Sequence, residues 1–189
     1  MNKVPVILFF SVCVFFVSEA CKCAVRHPQR IFCQSDYVIQ GRILREQSVD
    51  SWRKRYEVKV QENFKNRYAD PVRGSKVWIY TASSSPACGV MFDIGNKYVI
   101  AGSRDMKGKL EASSCSWNVK VSDLSNFQRQ ALRNMSYKRN CACKIRGCPH
   151  ARCEKSDGCL VPYTNSNCYH RNALCKQSGN TCSWTPNIC

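Results

Sequence analysis

Fifteen cysteines in 189 residues constrain this chain more than any other feature. Cys13 lies in an apolar leader, so fourteen remain once that leader is removed, an even number. In an oxidising compartment this predicts a framework of about seven disulfides with no thiol left over. Spacing alone does not choose among about 10^5 pairings. The distribution is uneven: six cysteines lie between Cys21 and Cys141, and eight crowd the shorter stretch from Cys143 to Cys189. The first stretch is long enough to bury a modest core, whereas the second must be stapled. Two domains are therefore expected, residues 21–141 and 142–189. Metal binding by the crowded cysteines, Cys141-Ala142-Cys143 and Cys148 to Cys153, is the competing reading. Oxidation of secreted thiols and a supply of only three histidines weigh against it.

The leader occupies residues 1–20. Lys3 precedes the apolar run Val4 to Val17, and Ser18-Glu19-Ala20 places small residues where a signal peptidase reads. The run is too short for a membrane span and nothing later is long enough. A secreted, extracellular chain starting at Cys21 is expected. Losing Lys3 and Glu19 together leaves the net charge at +16. A secreted protein this basic is suited to heparan-sulfate-like glycans; export disfavours nucleic acid as a partner. The plainer reading is that the charge keeps the surface solvated.

Short alternating runs separated by Gly, Ser, Pro and Asp dominate the first domain. Tyr37 to Leu44 alternates with Tyr37, Ile39, Gly41 and Ile43 on one face, and Tyr56 to Val60 places Tyr56, Val58 and Val60 on another. Lys76–Thr81, Lys97–Ala101 and Lys109–Ser113 complete about five strands, which predicts a mainly β fold built on a small antiparallel barrel. His27-Pro28-Gln29-Arg30 suggests a short helix with Pro28 in its first turn. Leu124, Phe127, Ala131 and Met135 recur at helical spacing behind a Ser125/Gln128 capping box. The second domain reads as loop-rich. Asn134-Met135-Ser136 is a sequon that permits a surface glycan.

No catalytic constellation is present. His27, His150 and His170 stand in no catalytic or metal motif, Ser83-Ser84-Ser85-Pro86 has turn composition, and no acidic pair stands out, so an enzyme is not expected. Cys21-Lys22-Cys23 is more telling. Side chains at i and i+2 of an extended segment share a face, so these two cysteines reach separate distant partners. A free amine clamped on a rigid edge, with its own carbonyl beside it, forms a small chelate suited to a metal held by another protein. The alternative is that Cys21 is only the first cysteine of a scaffold.

Cys21-Lys22-Cys23, His27-Pro28-Gln29, Phe32-Cys33, Ala87-Cys88-Gly89, Tyr98-Val99-Ile100-Ala101-Gly102 and Ser114-Cys115-Ser116, in this order, resemble the tissue inhibitors of metalloproteinases. The resemblance implies a netrin-type N-terminal domain with a five-stranded OB-like barrel and short flanking helices, followed by a small disulfide-rich domain. It implies the pairs Cys21–Cys88, Cys23–Cys115, Cys33–Cys141, Cys143–Cys182, Cys148–Cys153 and Cys159–Cys175. Cys168 and Cys189 exceed the usual twelve and are paired as an additional bridge. It also implies that the amine and carbonyl of Cys21 chelate the catalytic zinc of a secreted or cell-surface metalloproteinase. The zinc is the target's; no cofactor of the chain's own is expected. Lys22 would enter the S1′ pocket, Cys23, Ala24 and Val25 would follow the cleft, and Ser84, Ser85, Pro86 and Ala87 would fill its other side. Lys22 departs from the family, which usually places Thr or Ser there, and the segment Glu46 to Lys54 looks short for a peripheral contact. The implied function is inhibition by a monomeric secreted protein; the alternative is a netrin-like matrix or glycan-binding module that inhibits nothing.

Overall fold

The computed structural model describes residues 21–66, 71–148 and 158–189; the expected leader and Cys153 lie outside them. β1 (Tyr37–Ser48) and β2 (Arg53–Asn66) form a long antiparallel hairpin. β3 (Lys76–Ala82) pairs with β2, β4 (Lys97–Arg104) pairs with β1, and the two-residue β5 (Leu110–Glu111) joins β3 to β4. These five strands close into a ring, and β6 (Asn118–Lys120) extends β4 outside it. The expected antiparallel barrel needs one correction. Strand direction cannot alternate all the way around a ring of five, so one neighbouring pair must be parallel, and it is β3–β5.

β1 and β2 outrun the sequence expectation because Arg45 to Ser48 and Arg53 to Arg55 read as a polar connection but continue the ladder to Ser48↔Lys54. Three register shifts in β1, at Val38/Ile39, Gln40/Gly41 and Ile43/Arg45, bend the strand so that it serves both β2 and β4. At Gly41 the barrel wall leaves no room for a side chain: a Cβ would stand 2.3 Å from Val58 Cγ1. Tyr37, Ile39 and Ile43 fill the barrel with Tyr56, Val58, Ile79, Phe92 and Ile100. The opposite face of β1 and β4 is also buried, with Val38, Val99 and Ala101 against Phe32, Trp117, Leu132 and Tyr137.

Short helices make that second layer. α1 (Pro28–Gln34) starts at His27, whose ring accepts the Gln29 N–H; α2 (Asn126–Arg133) carries the complete Ser125/Gln128 capping box. The apolar stripe ends earlier than its spacing suggested. α2 stops at Arg133, Met135 takes a left-handed φ of 53° and is half exposed, and α3 (Ser136–Arg139) brings Tyr137 into the core instead. The reversal also delivers Cys141 to Cys33. Closing that loop stabilises by about 4 to 5 kcal/mol in the chain-entropy picture.

In the C-terminal part, β7 (Ile145–Cys148) and β8 (Cys159–Pro162) pair in parallel. α4 (Ser166–Asn172) leads to the hairpin of β9 (Leu174–Ser178) and β10 (Thr181–Thr185). Three of the five buried residues in its core are cysteines, so bridges replace apolar bulk. They are Cys143–Cys182, Cys159–Cys175 and Cys168–Cys189. Cys148 is disulfide-bonded as well; its expected partner Cys153 is outside the described residues.

His27 and Gln29 latch the two parts together. The fully buried Gln29 amide donates to the carbonyls of Asn140 (2.9 Å) and Cys175 (2.8 Å) and accepts the Cys175 N–H (2.9 Å). His27 bonds the Tyr169 carbonyl through Nε2 at 2.9 Å and packs 5.0 Å from the Trp184 ring. The end carbonyls of α4 are satisfied across the same seam: Gln128 Nε2 donates to His170 O and Ser125 Oγ to Arg171 O.

Candidate functional site

Residues 21–26 lie as an exposed strip beside the loop that follows β3. Lys22, Cys23, Ala24 and Val25 all face solvent, and Val25 is 76% exposed. Two bridges hold it, Cys21–Cys88 and Cys23–Cys115, and they pack against each other with Cys21 Sγ 3.6 Å from Cys115 Sγ. Arg26 adds a third fastening by donating to the Cys115 carbonyl at 2.8 Å.

Ser84, Ser85, Pro86 and Ala87, also exposed, run beside it in the loop after β3. The Cys21 nitrogen donates to the Pro86 carbonyl at 3.1 Å, so the strip and the loop form one ridge. Local turns set the loop's shape: Cys88 N–H reaches Ser85 O and Gly89 N–H reaches Ser84 O. Cys88 itself is left-handed, with a φ of 60°, a strained backbone for a residue that is not glycine. Gly89 is confined, since a Cβ there would lie 2.3 Å from the Ala82 carbonyl.

Among the described residues, the Cys21 carbonyl accepts no hydrogen bond, and Lys22 makes no hydrogen bond or ion pair. Cys21 thus presents an unused acceptor beside a nitrogen that donates sideways to Pro86.

Sequence reasoning missed three parts of this ridge. The strain at Cys88 had no signal, because nothing marks a cysteine for positive φ. Arg26 is an ordinary basic residue until its partner is known. The tip of the β1–β2 hairpin was read as a short peripheral segment, but Ser83 N–H bonds the Trp52 carbonyl and Ser83 Oγ bonds the Ser51 carbonyl. Trp52, 79% exposed, therefore stands next to the loop.

The cysteine clusters offer no thiolate to a metal. Cys21, Cys88 and Cys115 lie together, as do Cys143, Cys175 and Cys182, but every one of these sulfurs is in a bridge. Asn134, in the sequon, is exposed at the end of α2. Among the described residues no helix is long and apolar enough to cross a membrane.

The family described as tissue inhibitor of metalloproteinase matches residues 19–184. Metalloproteinase inhibitor 2 of Homo sapiens is 36% identical over an alignment covering 88% of this chain and 82% of that protein. The Cavia porcellus protein of the same name shows the same identity and coverage. That of Gallus gallus is 35% identical over 76% of this chain and 68% of its own length. These relatives are named as inhibitors and not as enzymes.

Proposed function

This chain belongs to the tissue inhibitor of metalloproteinase family, and from that premise we propose that it is a secreted, monomeric inhibitor of zinc metalloproteinases. Residues 21–141 carry the inhibitory ridge, and residues 142–189 form a separate small domain. The ridge of Cys21 to Val25 and Ser84 to Ala87, clamped by two bridges before any partner arrives, is the observation that carries the reading. A wedge already held in its bound shape loses little ordering entropy on association.

The target's zinc supplies an open coordination position that normally holds the hydrolytic water. Cys21 offers its amine and carbonyl at that position and so excludes the water. Pro86 holds the amine in place through its carbonyl, and the two packed bridges keep Cys21 from swinging away. The amine binds when neutral, and a free α-amino group titrates near pH ~8. Lys22 projects into the S1′ pocket, and Ala24 and Val25 lie along the cleft. The test is a titration of a matrix metalloproteinase with the chain beginning at Cys21. Stoichiometric loss of peptidase activity is expected, and no loss at micromolar inhibitor would overturn the reading.

Lys22 sets selectivity within it. An ammonium entering an apolar pocket loses solvation unless it finds a partner. Lys22→Thr is expected to tighten binding to enzymes with largely apolar S1′ pockets by tenfold or more, about 1.4 kcal/mol. Targets with acidic or water-filled pockets should respond in the opposite direction. Constants unchanged across the whole panel would place residue 22 outside the pocket.

A second attachment, to sulfated glycans, is favoured by the outer face of β1–β3. There Arg45 and Arg55 flank the Trp78 ring at 5.0 and 4.2 Å, and Lys109 lies 5.0 Å from the Tyr80 ring. With a net charge of +16, retention on a heparin column above physiological ionic strength is expected. Elution at or below that strength would leave the charge as a solvated surface only.

A further inference from the structure

A cavity of about 350 Å³ opens behind the ridge, between the N-terminal strip, α1 and the C-terminal part. That is within the range of small-ligand sites, which combine apolar walls with a few polar groups. Val25, Ile145 and Val161 contribute apolar wall, and Arg26 and Arg30 line the same space. Among the described lining residues there is no carboxylate.

The two arginines differ in how they are used. Arg26 is committed to Gln34 Oε1 and the Cys115 carbonyl. The Arg30 guanidinium makes no hydrogen bond or ion pair among the described residues, although the residue is partly buried. A guanidinium with no acceptor, next to apolar walls, calls for an anionic group carried on an apolar body. His27, at the back, spends its ring on the Gln29 N–H and the Tyr169 carbonyl, so it offers no competing charge.

We propose that this cavity binds a small amphipathic monoanion, its carboxylate on Arg30 and its aliphatic body against Val25, Ile145 and Val161. The ligand would lie under the strip that leads from Cys23 to His27, so occupancy is felt at Ala24 and Val25. The site shares Ala24 and Val25 with the back of the ridge but uses neither Cys21 nor zinc, so ligand binding does not depend on inhibition.

The probe is decanoate, titrated into the ¹⁵N-labelled chain beginning at Cys21. Saturable shifts are expected at the amides of Ala24, Val25, Ile145 and Gly147, with one site per chain. Arg30→Glu should weaken binding by at least tenfold while the rest of the spectrum stays that of the folded protein. Decanol, with the same body and no charge, should bind at least tenfold more weakly than decanoate. Absence of saturable shifts at these amides at millimolar decanoate would overturn the proposal. So would equal binding of decanol, or unaltered affinity in the folded Arg30→Glu chain. If Arg30→Glu does not fold, Arg30→Gln carries the same test, since it keeps polarity and removes the charge.

Discussion

One alanine added before Cys21 is expected to reduce inhibition by at least a thousandfold while leaving the fold intact. The addition turns the α-amino group into an amide, whose nitrogen has no lone pair to give a metal. In the folded chain the Cys21 nitrogen would still donate to Pro86, and both bridges would still close, because neither uses the amine. Losing one zinc ligand and forcing an extra residue against the cleft floor together exceed about 4 kcal/mol, which corresponds to that factor. The measurement is an inhibition constant for the two forms against one enzyme, with thermal unfolding as the control. Equal constants would remove the chelating amine from the mechanism.

The second large effect concerns the seam between the two parts. Gln29→Leu keeps the volume but leaves the buried Cys175 N–H and carbonyl without their partner, while the Asn140 carbonyl keeps the Cys143 N–H. At about 1 to 3 kcal/mol for each of these two groups, reduced by local relaxation, a loss of about 3 kcal/mol in unfolding free energy is expected. Urea denaturation checks it, and a change below about 1 kcal/mol would show that the amide is not the latch. The same seam has an acid limit. Burial, more than any other influence, lowers the His27 pKa from 6.5 to about 4. The unfolded chain therefore takes up a proton between those values that the folded chain refuses, so this contribution is complete above pH 6.5 and declines as pH falls. The loss reaches about 2 kcal/mol by pH 5.

Much of the barrel could be read from its residues, since alternation at Tyr37 to Ile43 and Tyr56 to Val60 named the inward side chains that the core contains. Alternation did not reveal that Val38, Val99 and Ala101 are buried too, because a second layer arrives from helices far along the chain. His27 and Gln29 stood out as a motif, yet their role was hidden, since their partners Tyr169 and Cys175 lie more than 140 residues away. The exposed ridge was legible at Cys21 to Cys23 through the oddity of its spacing. Its other half was not, because a Ser-Pro loop looks like any turn until Cys88 ties it down.

The two bridges under the ridge touch, and so they share one redox fate. Cys21 Sγ is 3.6 Å from Cys115 Sγ, and Cys88 Sγ is 4.0 Å from it. If an extracellular thiol reduces Cys21–Cys88, the thiolate left on Cys21 is already in range to attack Cys115, form a new bond there and expel Cys23 as a thiolate. One reduction event is then enough to move Cys21 from Cys88 onto Cys115 and release Cys23, which takes residues 21–23 out of their seat. The barrel, held by its own core and by Cys33–Cys141, would survive as a folded protein that has lost its edge. Thiol exchange at this pair would thus disable the ridge without unfolding the barrel.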